Sequence, residues 1–110
     1  MTEFVGLRTR LKPGMEQAYK DAHDAISPEI LEAQRAAGIK RYLIFRDGLD
    51  LFHAVEVDDF DAADAMLREV PVDQRWQAEM TKFVVATDNE NRPGATRLEL
   101  VYDRSPADDA

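Results

Sequence analysis

The 110-residue sequence contains no cysteine and only two histidines, and it has 14 basic against 22 acidic residues. The absence of cysteine excludes disulfides, a thiol nucleophile and cysteine-bound metal. The net charge of -8 disfavours nucleic acids and anionic membrane surfaces as partners, because proteins bind both through basic surfaces. No apolar run approaches the roughly 20 residues that a membrane span requires. We therefore expect neither a nucleic-acid nor a membrane partner, and a neutral small molecule suits the composition better.

The N-terminal residues 1–4 have neither the basic region nor the apolar region of a secretory signal, so we expect a cytoplasmic location. A chain of this length is sufficient for one domain with one core. We expect residues 1–104 to form that domain and residues 105–110 to be a polar C-terminal tail.

Apolar periodicity predicts four strands and four helical segments. The predicted strands are Glu3–Leu11, Ile39–Arg46, Leu51–Val57 and Arg97–Arg104. The predicted helical segments run from Pro13 to about Asp24, from Pro28 to Ala37, from Asp58 or Asp59 to Pro71, and from Val72 or Asp73 to Phe83, before a loop over Thr87–Thr96. The order β-α-β-β-α-β is typical of a ferredoxin-like α+β sandwich, in which the helices cover one face of the sheet.

Both faces of the predicted sheet carry apolar side chains. One predicted set includes Leu43, Phe45, Leu51 and Val55, and the other includes Tyr42, Ile44, Phe52 and Ala54. The helices cover only one face, and a large exposed apolar surface marks an interface. In so short a chain a second copy of the protein can cover the other face, so we expect a homodimer.

Tyr19 and His23 form the most informative pair of candidate site residues. They are four residues apart in a predicted helix and so share one face. Histidine gains or loses a proton near neutral pH, and a phenol beside an imidazole suits the binding and protonation of a sugar oxygen. The same spacing is also typical of a core tyrosine beside a histidine at the core edge.

The second histidine and the acidic residues have plainer interpretations beside the functional ones. His53 lies in the middle of a predicted strand, where it lines the same pocket or is a hydrogen-bonded sheet histidine. Two histidines without a His-Glu-x-x-His pattern predict no metal site. The acidic residues near the third helical segment are Asp58, Asp59, Asp61 and Asp64. Carboxylates at a helix start are typical of caps that complement the positive end of the helix dipole.

The only tryptophan, Trp76, lies in the segment Gln74-Arg75-Trp76-Gln77. An indole face suits the apolar C–H face of a pyranose, and the flanking amide and guanidinium groups suit its hydroxyls. The alternative is a tryptophan that anchors its helix to the sheet. Tyr42, on a predicted strand, has the same two interpretations.

Several short segments are informative in their order and spacing. They are Tyr19-x-x-x-His23 with Ile26-x-Pro28-Glu29, Tyr42-x-Ile44-Phe45-x-Asp47, Leu51-Phe52-x-x-Val55-Glu56-Val57, Gln74-Arg75-Trp76 with Met80-Thr81, and Leu98-Glu99-Leu100-Val101-Tyr102. Together they resemble the L-rhamnose mutarotase family over nearly the whole chain. The resemblance implies a dimeric ferredoxin-like fold, an aldose substrate whose α and β anomers are interconverted, and no cofactor.

The resemblance also implies roles for individual residues. By position, His23 matches the family's proton-donating histidine, and Tyr19, Tyr42 and Trp76 match its substrate-contacting residues. Gln77 stands at a substrate-contacting position that can be a second tryptophan in the family.

Two further departures are Ser27, where a tryptophan can precede the proline, and Asp24, where an asparagine can follow the histidine. With Gln77, these departures leave the particular sugar open between L-rhamnose and related deoxy sugars. The alternatives within the same architecture are a cofactor-free monooxygenase of aromatic substrates and a non-enzymatic protein that binds a small ligand.

Overall fold

The computed structural model describes residues 2–86 and 95–104, which form one antiparallel sheet and four helices. The strands are β1 (Glu3–Arg10), β2 (Ile39–Asp47), β3 (Asp50–Val57) and β4 (Thr96–Leu98). The helices are α1 (Glu16–Asp24), α2 (Pro28–Ala36), α3 (Phe60–Arg68) and α4 (Pro71–Met80). The strand order in the sheet is β2-β3-β1-β4. The predicted β-α-β-β-α-β ferredoxin-like order is confirmed, with each α unit built from two short helices.

Two predicted regions fall outside this description, namely most of the predicted loop, at residues 87–94, and the polar tail at residues 105–110. None of the four helices is both long enough and apolar enough to cross a membrane.

Side-chain caps explain why two of the helices begin where they do. Ser27 Oγ accepts a hydrogen bond from the Ile30 amide at 3.3 Å, and proline occupies the first position of α2. Asp59 Oδ1 accepts one from the Ala62 amide at 3.0 Å at the start of α3. Each bond satisfies an amide that has no partner within its helix. Both predicted helix starts are therefore confirmed.

The remaining acidic side chains near α3 form ion pairs. Asp61 lies 3.2 Å from Arg97, and Asp64 lies 2.9 Å from Arg68. Within residues 2–86 and 95–104, no three histidine or acidic side chains are grouped as a metal site would require.

Two helix boundaries differ from the prediction because of backbone constraints. Helix α1 begins at Glu16 and not at Pro13, since Gly14 has a φ of 86°, which a right-handed helix cannot include. Pro71 begins α4, although we predicted that it would only end the preceding helix. Proline is accommodated at the first helical position because that amide has no intrahelical acceptor.

The predicted final strand is too long. β4 pairs with β1 only from Thr96 to Leu98, although β1 continues as far as Glu3. A strand requires ladder hydrogen bonds, and residues 99–104 leave the edge of the sheet without them. Their apolar side chains are consequently exposed, including Val101 at 82%.

The turn between β2 and β3 sets which side chains share a face. Gly48, with a φ of 61°, allows a two-residue connection that pairs Asp47 with Asp50. Ile44 then lies opposite His53. The side chains facing the helices include Tyr42, Ile44, Leu51 and Val55, whereas Leu43, Phe45, Phe52 and Ala54 face outward. The predicted face sets were therefore wrong: alternation along each strand was right, but the two strands were combined out of register.

The core between the sheet and the helices consists of two apolar clusters. The first cluster contains Val5, Leu7, Ile39, Val55, Val57, Phe60, Ala63 and Leu67. The second contains Leu11, Tyr19, Leu51 and Val84. Side chains of both clusters also line one cavity, so the core is divided around an internal space.

The Asp59 cap predicts a measurable loss of stability. Replacement of an N-cap aspartate by alanine leaves a helix amide without its acceptor and costs about 1 kcal/mol. We expect Asp59→Ala to lower the free energy of unfolding in urea by about this amount, and Asp59→Ser, which keeps an acceptor oxygen, to lose much less. An Asp59→Ala variant as stable as the parent would show that the carboxylate contributes nothing as a cap.

Candidate active site

A cavity of about 550 Å³ lies between the inner face of the sheet and the helices. This volume is within the range of about 300–1,000 Å³ that is usual for small-molecule sites. All five predicted site residues line it, namely Tyr19, His23, Tyr42, Trp76 and Gln77. His53 lines the same cavity. Residues separated by more than 50 positions in the sequence are thus brought together at one site.

The ring of His23 is oriented by the main chain of its own helix. Its Nδ1 lies 3.0 Å from the carbonyl oxygen of Tyr19, one turn earlier in α1. A carbonyl oxygen only accepts hydrogen bonds, so Nδ1 must carry a proton and donate it. The second nitrogen, Nε2, is therefore a lone-pair acceptor in neutral His23 and a donor in the imidazolium.

Aromatic side chains hold His23 from two sides. The Tyr19 ring lies 4.4 Å from the imidazole, between ring centroids, and the Trp76 ring of α4 lies 5.1 Å away in an edge-to-face arrangement at 77°. Phe83 supports Tyr19 in turn at 6.3 Å. The imidazole is thus fixed between α1 and α4, with one indole in the cavity wall beside it.

The sheet side of the cavity has a polar strip formed by three strands. His53 of β3 lies with Nε2 3.0 Å from Thr9 Oγ1 of β1 and with Nδ1 3.1 Å from the Tyr42 hydroxyl of β2. His53 is only 7% exposed. Both interpretations of this histidine therefore hold at once: it is a hydrogen-bonded sheet residue and it lines the pocket.

Several polar residues of the cavity were missed in the sequence. They are Thr9, Gln34, Asp64, Arg68 and Asp73. Asp73 is buried in the first turn of α4, and its position immediately before the segment Gln74-Arg75-Trp76-Gln77 was the available signal. Asp64 and Arg68 form their 2.9 Å ion pair at the cavity wall. The wall is therefore more polar than the sequence indicated.

Three residues singled out in the sequence do not line the cavity. Ser27 caps α2, and Asp24 is an exposed partner of Lys20 at 2.7 Å. Arg75, in the segment around the tryptophan, is exposed. Helical periodicity accounts for this last case, because Arg75 and Trp76 are adjacent and point about 100° apart.

Comparison with known proteins gives a consistent result over nearly the whole chain. The sequence profile of a family described as L-rhamnose mutarotase matches residues 5–104. A protein named L-rhamnose mutarotase from Burkholderia orbicola (strain MC0-3) is 41% identical over 102 residues, which cover 91% of this chain and 96% of the relative. The crystal structure of an L-rhamnose mutarotase from Formosa agariphila has a TM-score of 0.77 at 26% identity, and the match covers 94% of this chain and 99% of that chain.

More distant similarity concerns the fold alone. A dimeric ferredoxin-like protein from an uncultured marine organism has a TM-score of 0.60 at 16% identity, with 96% of this chain and 95% of that chain covered.

Burial also changes the acidity of Tyr19. Removal of its phenol from water raises the pKa above the ordinary value of about 10, because the charged phenolate is poorly solvated there, and the nearby Tyr42 raises the pKa further. The folded protein therefore favours neutral Tyr19. The stability that follows from this preference is fully present below the pKa of Tyr19 in the unfolded chain. It is lost progressively as the pH rises above that value toward the higher pKa of the folded protein.

The raised pKa of Tyr19 predicts that the free energy of unfolding depends differently on pH in the parent and in Tyr19→Phe, because the variant has no phenol to ionise at this position. Between about pH 10 and pH 11, the free energy of unfolding of the parent should fall by about 1 kcal/mol more than that of the variant. Urea unfolding at a series of alkaline pH values measures this difference, since all other titrating groups are common to both proteins. Parallel pH profiles would contradict the raised pKa.

Proposed function

The chain belongs to the L-rhamnose mutarotase family, and from this we propose that it interconverts the α and β anomers of L-rhamnose or of a related free deoxy sugar. The observation that carries the proposal is the position of His23, whose Nδ1 is held by a main-chain carbonyl while its ring lines a cavity beside Trp76. This arrangement leaves Nε2 for proton transfer to a bound sugar.

The reaction requires little beyond positioned acid and base groups. The ring oxygen gains a proton as its bond to C1 breaks, the anomeric hydroxyl loses one, and the aldehyde recloses on its other face. Spontaneous exchange over minutes to hours corresponds to a barrier of roughly 20–23 kcal/mol. One positioned acid or base contributes about 10²–10⁴-fold, so an acid–base pair with orientation of the sugar is sufficient. We propose that neither a metal nor a cofactor takes part.

We assign the donation of a proton to the ring oxygen to His23. Because Nδ1 is committed to the Tyr19 carbonyl, the donor is Nε2 and the donating form is the imidazolium. The Nδ1–H bond to the carbonyl persists in both protonation states, so the ring keeps its orientation when Nε2 gives up its proton.

The other cavity residues would bind and orient the sugar. The Trp76 ring offers an apolar face to the C–H groups of the pyranose, and Tyr42 and Gln77 offer hydrogen bonds to its hydroxyls. Tyr19 orients His23 through its main-chain carbonyl and its ring. The Tyr19 hydroxyl would contact the sugar.

Two alternatives remain distinguishable by experiment. A cofactor-free monooxygenase would oxidise an aromatic substrate, and a binding protein would catalyse nothing. Saturation-transfer NMR of the anomeric protons of several free sugars separates the three, because only a mutarotase accelerates exchange between the two anomeric signals. A cytoplasmic location and a single domain over residues 1–104 stay predictions.

We also propose a homodimer formed through the outer face of the sheet. Three phenylalanines lie exposed on this face, Phe4, Phe45 and Phe52, and the first two are about 60% exposed. Phe45 and Phe52 are directly opposite each other in the β2–β3 pairing. Residues 99–104 add further exposed apolar side chains beyond β4. A second copy would bury this surface, and a related fold described as dimeric agrees with the proposal.

The assignment of His23 predicts a large catalytic defect in His23→Ala. Catalysed anomer exchange should fall by at least about 10²-fold, the lower range for general acid–base catalysis, whereas sugar binding should fall less because Trp76, Tyr42 and Gln77 remain. Tyr19→Phe should be intermediate, since it keeps the carbonyl that orients His23. Circular dichroism and sedimentation control for folding and assembly. A folded His23→Ala protein exchanging anomers at the parent rate would reject the assignment.

The proposed interface predicts twice the chain mass of 12.5 kDa in sedimentation equilibrium at micromolar concentration. A lysine on the outer face should weaken the dimer because a charge would be buried without a partner, so Phe45→Lys should shift the mass toward that of the monomer. Met66→Lys is the matched control, since Met66 is an exposed apolar residue on α3. A parent protein that sediments as an ordered monomer would contradict the proposal.

A further inference from the structure

The polar strip formed by Thr9, His53 and Tyr42 crosses three strands on the inner face of the sheet. We propose that His53 is a positioning residue that acts through Tyr42, so that this hydrogen-bonded chain is the base that removes the proton from the anomeric hydroxyl. The inference rests on the proposed mutarotase function and supplies the partner that His23, as the acid, requires.

The strip is a consequence of the sheet register. On β3, His53 lies between two fully buried core residues, Leu51 and Val55. Thr9 and Tyr42 stand diagonally across from His53 on the two neighbouring strands, each within hydrogen-bond distance of a different ring nitrogen. The three polar groups therefore occupy the gap between the two core clusters, where they line the cavity.

A purely packing role does not explain this choice of residues. Burial of an imidazole costs free energy unless its nitrogens are hydrogen-bonded, and an aliphatic residue at position 53 would continue the run of Leu51 and Val55 without that cost. Here both nitrogens are satisfied, and both partners are hydroxyl groups at the wall of the cavity.

The chemistry of the three groups selects the direction of the hydrogen bonds. A phenol is a stronger donor than a neutral imidazole N–H, and an imidazole nitrogen is a stronger acceptor than a phenol oxygen. Tyr42 therefore donates to Nδ1 of His53, and Nε2–H of His53 donates to Thr9 Oγ1. This tautomer directs the Tyr42 proton toward His53, and in the relay the Tyr42 oxygen accepts a hydrogen bond from a sugar hydroxyl.

The proton transfers then balance without a further reactant. In ring opening, the bond between C1 and the ring oxygen breaks, and that oxygen takes the proton of His23 Nε2. The anomeric hydroxyl gives its proton to the Tyr42 oxygen while the Tyr42 proton moves to His53 Nδ1, and the anomeric oxygen becomes the aldehyde carbonyl. One positive charge passes from His23 to His53, and reclosure reverses both transfers.

The relay avoids a free phenolate. The pKa of a tyrosine is about 10 in water, so Tyr42 alone would be a poor source of a base near neutral pH. Its transient loss of a proton is compensated because it receives the sugar proton in the same step. Protonated His53 keeps both hydrogen bonds, since two hydroxyl oxygens can accept from its two N–H groups.

The experiment compares His53→Asn, Tyr42→Phe and the double variant. Asparagine places an acceptor oxygen near the position of Nδ1, so the bond from Tyr42 is kept, but an amide cannot take up the proton. Anomer exchange measured against L-rhamnose concentration by saturation-transfer NMR should show kcat reduced at least about 10-fold in His53→Asn, with KM nearly unchanged. In the Tyr42→Phe background the same substitution should reduce kcat by much less, because the relay is already broken.

A second measurement tests the relay without relying on the activity of any variant. Long-range ¹H–¹⁵N correlation spectra of the resting protein distinguish protonated from unprotonated ring nitrogens, and the chain has only two histidines. We expect His53 to be protonated on Nε2 alone and to have a bare Nδ1. His53→Asn identifies its signals by their loss.

The outcomes separate the relay from the function on which it rests. A parent that exchanges sugar anomers beside an equally active His53→Asn overturns the relay alone, as does a His53 ring already protonated on Nδ1. Equal losses in both backgrounds also overturn it, because they indicate a structural effect independent of Tyr42. A parent that accelerates no anomer exchange overturns the proposed function and the relay with it.

Discussion

The register of the β1–β3–β2 sheet is the constraint on which the remaining structure depends. The short turn at Gly48 pairs Asp47 with Asp50, so from Arg41 to Asp47 the even-numbered residues of β2 share a face with odd-numbered residues of β3. A slip of one residue would move every side chain of a strand to the other face. It would turn His53 away from the cavity and bring Phe52 into its place. The core, the cavity and the exposed outer face therefore arise from the same pairing.

A cavity is a demanding feature in a protein of 110 residues. Small domains bury a modest fraction of their surface, so each buried apolar group matters to a thin stability margin. Here the core is divided into two clusters, and the space between them contributes no packing energy to either. The polar groups of the cavity limit the cost because they bond to one another: His53 to Thr9 and Tyr42, and His23 to the Tyr19 carbonyl. Burial of the outer sheet face in a dimer would remove further apolar surface from water and so offset part of the remaining cost of the cavity.

Features that depend on local sequence could be predicted, whereas features that depend on how the strands pair in the sheet could not. The starts of α2 and α3 follow from Ser27 and Asp59, because a cap acts within three residues. Tyr19 and His23 share a face because four residues make about one helical turn. By contrast, the contact between His53 and Tyr42 requires the register. The end of β4 at Leu98 depends on where that strand leaves β1, which no pattern within residues 97–104 reveals.

The two histidines differ in what their hydrogen-bond partners permit. The partner of His23 is a carbonyl oxygen, which accepts and never donates, so Nδ1 keeps its proton and only Nε2 changes state. The partners of His53 are hydroxyl groups, which donate or accept, so either tautomer and the cation retain both bonds. A reaction that interconverts two anomers and leaves the protein unchanged needs one site that delivers a proton in a fixed direction and another that receives a proton without rearrangement. The backbone carbonyl of a helix supplies the first condition, and side-chain hydroxyls from two neighbouring strands supply the second.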